Sequence, residues 1–198
     1  MINGFFDTQT SDDALISQRR TFLKMGLAGV VGAMLPLVSA KSLLAANNSA
    51  AWNIHFRNAH TSESFSGVYR VGDKYLPDAF ERLNYVLRDF RTNEVFPMDP
   101  HIIDILSIID RKMDVSSPYE ILSGYRSPKT NSMLGNSSRG VAKNSFHMYG
   151  QALDIRIPNY STKKVRNIAK SIKAGGVGYY PRSNFVHIDT GKVRSWSS

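Results

Sequence analysis

The sequence contains no cysteine among its 198 residues. Disulfides and thiolate metal sites are therefore excluded, so packing must hold the fold and any metal must be bound by histidine and carboxylate side chains. Histidine is itself scarce, with five residues, and acidic residues are outnumbered by basic ones, 16 against 25. The resulting formal net charge of +9 favours an anionic partner.

The N-terminal part of the chain has the pattern of an export signal. An uncharged, apolar run over residues 25–40 follows the basic sequence Arg19-Arg20-Thr-Phe-Leu-Lys24, and small residues at Val38-Ser-Ala40 offer a cleavage site. The paired arginines make residues 1–40 resemble a twin-arginine signal. An uncleaved N-terminal anchor is the alternative, although the run is shorter than the roughly 20 residues that span a membrane. Either form predicts that the remaining chain is periplasmic.

After this leader, residues 41–51 are predicted to be a polar linker and residues 52–198 a single folded domain. The leader carries three basic and three acidic residues, so its removal would leave the net charge at +9. In a bacterial envelope, a basic domain meets anionic lipid headgroups and cell-wall peptides with free carboxylates. Nucleic acid is not expected as a partner, because the lysines and arginines are scattered and no zinc-finger or RNA-binding signature is present. Membrane attachment is expected only through an uncleaved signal.

Hydrophobic periodicity in the remaining chain predicts an α+β fold, a small and mainly antiparallel sheet with helices packed on it. Residues 127–144 are polar and are predicted to be a long connection without secondary structure, a kind of segment that is usually functional or mobile. The strand at 185–189 is predicted to be the last one. The predicted helices cover residues 77–91, 100–113 and 162–173, and the predicted strands residues 52–57, 119–126, 151–157 and 185–189.

Two short segments carry side chains that suit a metal ion. His147 ends the polar stretch, Asp154 lies in the next predicted strand and His187 lies in the final one, so a short sheet could bring the three together. Two imidazoles and a carboxylate can hold one zinc ion and leave a coordination position for water. This spacing is compatible with a metal site but does not require one, because isolated histidines and aspartates also occur as ordinary surface or core residues.

The full pattern resembles the signature of the LAS zinc peptidases, the group named for lysostaphin, D-Ala-D-Ala metallopeptidases and sonic hedgehog. The similarity to murein endopeptidases of the D-Ala-D-Ala metallopeptidase-like branch extends over residues 123–127, 140–147 and 175–190, and covers most of the chain from residue 52. The signature reads Ser-x-His-x-x-Gly-x-Ala-x-Asp, followed by a histidine in a short strand. Its positions in this chain are Ser145, His147, Gly150, Ala152, Asp154 and His187.

This resemblance implies a zinc peptidase core of the LAS or hedgehog type, with His147, Asp154 and His187 as the Zn²⁺ ligands. Arg126 matches the family arginine in the Tyr-Arg-Ser turn, and would hold a substrate carboxylate or stabilise the developing oxyanion. A surface ion pair is the alternative for Arg126. Ser145 would bind substrate or orient the loop that carries it.

One departure from the family concerns proton transfer. Many relatives place an acidic general base three residues before the last histidine ligand, or another histidine two residues before it, whereas this chain has Asn184 and Phe185 there. Asp189 is the nearest replacement, since it shares a strand face with His187. It would act either as the catalytic base or as a group that orients an imidazole.

The other histidines, His55, His60 and His101, lack a matching motif and are not expected to be ligands. Tyr179 and Tyr180 would either line the substrate groove or pack in the core.

The activity that the resemblance implies is hydrolysis of peptide cross-links in peptidoglycan, between D-alanine and meso-diaminopimelate or between two diaminopimelates. Two alternatives stay open from the sequence: a D-alanyl carboxypeptidase that shares every ligand, and a non-catalytic, zinc-containing cell-wall-binding module.

Overall fold

The computed structural model describes residues 51–114, 117–137 and 140–198. The predicted leader, and the predicted linker apart from its last residue, lie outside this part of the chain. Within it, no helix is long and apolar enough to cross a membrane. The strands are β1 (Ala51–Asn58), β2 (Ser64–Val71), β3 (Lys74–Tyr75), β4 (Tyr119–Ser123), β5 (Ala152–Arg156), β6 (Gly176–Tyr180), β7 (Phe185–Asp189) and β8 (Arg194–Ser197). The helices are α1 (Pro77–Val86), α2 (Pro100–Met113), α3 (Pro128–Ser137) and α4 (Thr162–Ile172), with a 3₁₀ turn at Phe146–Tyr149.

The strands form one open sheet of eight, in the order β3-β2-β1-β4-β5-β7-β6-β8. Neighbouring strands run antiparallel except for two parallel pairs, β1 with β4 and β6 with β8. The predicted α+β class is confirmed. The sheet is mixed and larger than predicted, because β2, β3, β6 and β8 join the four strands that periodicity identified.

Helices cover one face of this sheet. Helix α2 packs against β1, and α4 packs alongside α2 and against β6 and β7. Helix α2 has the predicted bounds because Pro100 stands in its first turn and the Asp99 side chain accepts a hydrogen bond from the backbone N–H of His101. Its inward side buries isoleucines such as Ile103 and Ile109, each worth about 1.5–3 kcal/mol of transfer free energy.

Three details differ from the sequence prediction. The helix from Pro77 ends at Val86, because the carbonyl of Leu87 accepts a hydrogen bond from the backbone N–H of Tyr125 at 2.8 Å instead of continuing the helix. The segment 127–144 is not an unstructured connection, since it contains helix α3. The strand at 185–189 is not the last, since β8 pairs with β6 beyond it.

The opposite face of the sheet is exposed at one end and covered at the other. On β1, the outward side chains of His55 and Arg57 are exposed, whereas β5 is buried on both faces from Ala152 to Ile155. The 3₁₀ turn packs against β5 and provides part of this cover. The sequence motif therefore lies where the second face of the sheet becomes enclosed.

Candidate active site

The 3₁₀ turn that carries His147 is fixed by its backbone. Ser145 precedes the turn in an extended conformation, and Gly150 ends it with φ of +66°. A Cβ atom at Gly150 would also lie 2.3 Å from the carbonyl oxygen of Pro97. Only glycine satisfies both conditions, so the backbone geometry explains why the motif has glycine at this position.

The His147 ring is held in place by a hydrogen bond from its Nδ1 to the backbone. Its Nδ1 lies 2.8 Å from the carbonyl oxygen of Gly124, so Nδ1–H donates there and Nε2 keeps its lone pair. The backbone at Gly124 packs directly against Leu87, and a Cβ at residue 124 would lie 2.3 Å from the Leu87 carbonyl oxygen. Glycine at this position therefore allows the carbonyl to reach His147. The imidazole is almost completely buried, with 3% of the side chain exposed.

Asp154 and His187 face each other across the antiparallel pair of β5 and β7. Asp154 Oδ1 lies 2.9 Å from His187 Nδ1 and 3.3 Å from His147 Nε2, and the two imidazole nitrogens are 3.3 Å apart. Of the residues described, only these three form a cluster of histidine, cysteine or acidic side chains that could hold a metal ion, with ligand atoms within 4.8 Å of one another.

The electrostatics of this cluster follow from burial and close pairing. Burial opposes ionisation of Asp154, but the two imidazoles outweigh it and hold the pKa of Asp154 far below its ordinary value. Burial lowers the pKa of His147. Burial also disfavours charge on His187, but hydrogen bonds to Asp154 and Asp189 outweigh this and raise the pKa of His187 to about 9.

Asp189 lies on the other side of the His187 ring from Asp154. Its Oδ2 accepts a hydrogen bond from His187 Nε2–H at 3.0 Å, and the carboxylate also forms an ion pair with Arg194 at 2.7 Å. Asp189 is fully buried and is not among the residues that line the cleft. The sequence left two roles open for Asp189, and this position favours orientation of His187 over catalysis.

Arg126 lies beside the cluster and is itself nearly buried. Its Nη2 is 3.4 Å from Asp154 Oδ2 and 3.0 Å from Ser123 Oγ, whereas its buried Nε has no hydrogen-bond partner. Burial lowers the pKa of Arg126, and the nearby Asp154 opposes that shift only in part. Arg126 is therefore an internal cation with unused donor capacity, not part of a surface ion pair.

These side chains lie in a cleft of about 690 Å³. Arg126, Ser145 and the three clustered residues line it, and Asp154 is the only acidic residue among the lining side chains. One wall is aromatic, with Tyr180 stacked on Phe185 at a centroid distance of 4.4 Å. Tyr180 thus lies in the groove, whereas Tyr179 packs against the hydrophobic core.

Two residues of β8 that lie in the cleft were not identified from the sequence. Arg194 and Trp196 both lie on β8, and the Trp196 ring is 5.3 Å from the His187 ring. Their spacing of two residues places both on one face of a strand, but no local signal in the sequence indicates that this strand pairs with β6 beside the cleft.

The histidines that were not expected to be ligands lie elsewhere. His55 contacts Ser66 on the neighbouring strand, His60 stacks on Phe90, and His101 is exposed at the start of α2.

An α+β domain with two histidines and an aspartate converging in an open cleft is the arrangement of a metal-dependent hydrolase. The chain belongs to the family described as peptidoglycan L,D-endopeptidase MepK, whose family model matches residues 46–196.

Individual relatives agree with this assignment. The chain is 39% identical over 184 residues to the peptidoglycan L,D-endopeptidase MepK of Escherichia coli strain K12, covering 93% of this chain and 100% of that protein. It is 44% identical over 142 residues to the probable peptidoglycan L,D-endopeptidase MepK of Haemophilus influenzae, covering 71% of this chain and 76% of that protein. The predicted membership of the LAS-type peptidases, near the murein endopeptidases, is confirmed.

Proposed function

We propose that this protein is a zinc endopeptidase that hydrolyses peptide cross-links of peptidoglycan. The observation that carries the proposal is the convergence of His147, Asp154 and His187 in the cleft of a chain that belongs to a peptidoglycan endopeptidase family. The carboxypeptidase and the non-catalytic module are not favoured, because the named relatives are endopeptidases.

The names of the relatives also bear on the bond that is cleaved. An amide from the L-centre of one diaminopimelate to the D-centre of another is an L,D bond, whereas an amide from D-alanine to diaminopimelate is a D,D bond. The relatives are L,D-endopeptidases. The diaminopimelate–diaminopimelate cross-link is therefore the preferred substrate, ahead of the D-alanine–diaminopimelate cross-link.

Zn²⁺ suits the three clustered side chains. With zinc bonds of about 2.0–2.2 Å, tetrahedral ligand atoms lie about 3.3 Å apart. The ligand atoms here are separated by 2.9 to 3.3 Å. In addition, the outer nitrogens of both imidazoles donate to other acceptors, so the inner nitrogens of His147 and His187 face the site, and His187 Nδ1 would release its proton when a metal ion binds. When bound, zinc would supply a Lewis acid that polarises the scissile carbonyl and activates water.

Arg126 provides the positive charge beside the reacting amide. Its unused Nε–H and its forked geometry suit a carboxylate of the cross-link or the oxyanion that develops during amide hydrolysis. Ser145 lines the same cleft, and its hydroxyl makes no capping hydrogen bond to the 3₁₀ turn that it precedes. The Ser145 hydroxyl therefore binds the substrate peptide.

Proton transfer is assigned to Tyr180 instead of Asp189. Asp189 orients His187 from behind and has no access to the cleft, so it acts on the ligand and not on the substrate. Hydrolysis takes a proton from the attacking water and delivers one to the leaving amine, so a hydroxyl that donates to the amine must recover its proton from the water. The Tyr180 hydroxyl oxygen accepts a hydrogen bond from Trp196 Nε1–H at 3.0 Å, and no described side chain accepts the Tyr180 proton, which leaves it available to the cleft.

The same proposal places the protein in the periplasm. Residues 1–40 would be the twin-arginine export signal, residues 41–51 a linker and residues 52–198 the zinc peptidase domain with an LAS-type core. Export is required by the substrate, since peptidoglycan lies outside the inner membrane.

Digestion of purified sacculi, with and without a chelator and followed by mass spectrometry of the muropeptides, tests metal, reaction and bond together. We expect the wild-type protein to convert cross-linked muropeptides to monomers in a chelator-sensitive reaction. His147→Ala should abolish this conversion and His101→Ala, a change at an exposed histidine, should leave it intact. Thermal unfolding of both variants checks that they are folded. Release of terminal D-alanine alone, or turnover by His147→Ala, would refute the proposal.

A further inference from the structure

The chain is strongly basic over one continuous stretch. No acidic residue occurs between Asp154 and Asp189, although the whole chain contains 16 of them. This stretch includes helix α4 and both of its ends. Its basic residues are Arg156, Lys163, Lys164, Arg166, Lys170, Lys173 and Arg182.

Most of these cations are on the surface and take no part in an ion pair with the described residues. Arg156 is neutralised by an ion pair with Glu120, and Arg166 is half-buried over the Tyr179 ring. The four lysines at 163, 164, 170 and 173 are exposed, and no ion pair involves any of them among the described residues. Lys163 and Lys170 lie seven residues apart, so they project from the same side of α4. We call the surface formed by these four lysines the α4 basic face.

This surface lies on the opposite side of the sheet from the cleft. Helix α4 packs on β6 and β7, and buries Val165 and Ala169 in the core that contains Val186 and Ile188. Side chains alternate along a strand, so His187 points away from that core, into the cleft. A partner bound to the α4 basic face would therefore leave the cleft open.

We infer that the α4 basic face binds an anionic lipid surface. Three exposed lysines on a helix of 11 residues, about 16 Å long, and a fourth directly after its C-terminal end match a surface of negative headgroups. The peptide substrate meets the other side of the sheet, so a wall peptide on this face would be turned away from the reacting groups. A lipid surface on this face instead directs the cleft away from the bilayer. The inference does not depend on catalysis.

The expected binding is electrostatic. The exposed positions of α4 are polar, with lysines accompanied by Asn167 and Ser171, and the apolar residues of the helix turn towards the core. The helix therefore has no apolar side to insert into the acyl chains. Affinity should fall steeply with ionic strength, since exposed charges are screened within about 10 Å at 0.1 M salt.

Co-sedimentation of the full chain with vesicles tests this inference. The vesicles contain phosphatidylglycerol and phosphatidylcholine, or phosphatidylcholine alone, and sacculi are sedimented in parallel. The test variant is Lys163→Gln/Lys170→Gln. The matched control is Lys74→Gln/Lys129→Gln, which removes the same charge from exposed sites on β3 and α3. The apolar run at residues 25–40 is common to all variants, and phosphatidylcholine vesicles measure its contribution.

We expect binding to anionic vesicles that weakens about 30-fold in the α4 variant, at about five-fold per lysine, and is unchanged in the control. Muropeptide cleavage by both variants should match wild type. An equal loss of vesicle binding in the two variants would show that binding depends only on net charge, and would overturn the inference. It would also be overturned by equal binding to both kinds of vesicle, or by binding to sacculi without binding to vesicles.

Discussion

Replacement of Asp189 by Asn separates the two roles that its position allows, orientation of His187 and proton transfer. Asp189 uses both carboxylate oxygens. One accepts from two backbone N–H groups and Arg194 Nη1, and the other accepts from His187 Nε2–H and Arg194 Nη2. An asparagine amide turns its NH₂ group towards at least two of these donors in either orientation.

The less costly orientation places the NH₂ group beside the imidazole. His187 can then accept at Nε2 by moving its proton to Nδ1, whereas the backbone donors have no such freedom. The moved proton would occupy the nitrogen that lies 2.9 Å from Asp154 and that a metal ion requires. Loss of such an orienting contact costs about 10- to 100-fold in metal affinity, or about 1.4–2.7 kcal/mol.

The measurement is zinc affinity by competition with a chromophoric chelator, combined with muropeptide cleavage at rising zinc concentration. We expect Asp189→Asn to bind zinc about 10- to 100-fold more weakly and to regain activity in excess zinc. Asp99→Asn is the control. Asp99 accepts from Thr190 Oγ1–H at 2.7 Å beside the same strand end but does not contact His187. Wild-type zinc affinity together with lost turnover in Asp189→Asn would show that Asp189 is a base and that the orientation argument is wrong.

Four further predictions address the cleft and the fold. Arg126→Lys should lower kcat/KM for muropeptides by about 10- to 100-fold, since an ammonium group cannot reproduce a forked, charged hydrogen bond worth about 1.5–3 kcal/mol; an unchanged value would exclude substrate contact. Tyr180→Phe should lower kcat about 100-fold at unchanged zinc content, and normal turnover would assign the proton to another group. Zinc at 100 times its Kd should stabilise the protein by about 2.7 kcal/mol and raise Tm by about 5–11 °C relative to chelated protein. His187→Ala should lose that difference, and an equal shift in the variant would place the metal elsewhere. Burial opposes ionisation of Asp89, but hydrogen bonds from neighbouring hydroxyl and backbone groups lower its pKa below the ordinary value. This contribution to the free energy of unfolding should be present above about pH 4 and lost as pH falls through the lowered pKa, a loss that urea titrations of Asp89→Asn should not show.

The converging side chains could be predicted from sequence because the motif that contains them resembles a known family signature. The 3₁₀ turn and Gly150 place His147 just before β5, and the pairing of β5 with β7 places Asp154 beside His187. The spacing along the chain is compatible with this convergence, but no local pattern specifies the pairing of the two strands.

The parts that sequence reasoning missed depend on contacts between distant residues. Helix α3 has only two adjacent apolar residues, Met133 and Leu134, so it shows no amphipathic period. It is held instead by buried polar groups such as Asn131, whose side-chain amide donates to the carbonyls of Ala142 and Lys143. The role of Arg194 required knowledge that β8 lies parallel to β6, a pairing that no local signal specifies.

The order in which contacts form during folding follows from how the three clustered side chains are connected. His147 and His187 are 40 residues apart and meet through neighbouring strands, whereas the contact of Asp99 with Thr190 joins residues 91 apart. Closing a shorter loop costs less chain entropy and is achieved sooner. We therefore expect pulse-labelled amides of β5 and β7 to gain protection from hydrogen exchange before the contact between Asp99 and Thr190 closes. A mutation that breaks the contact between Asp99 and Thr190 would then leave an early intermediate in which a metal ion can already be captured.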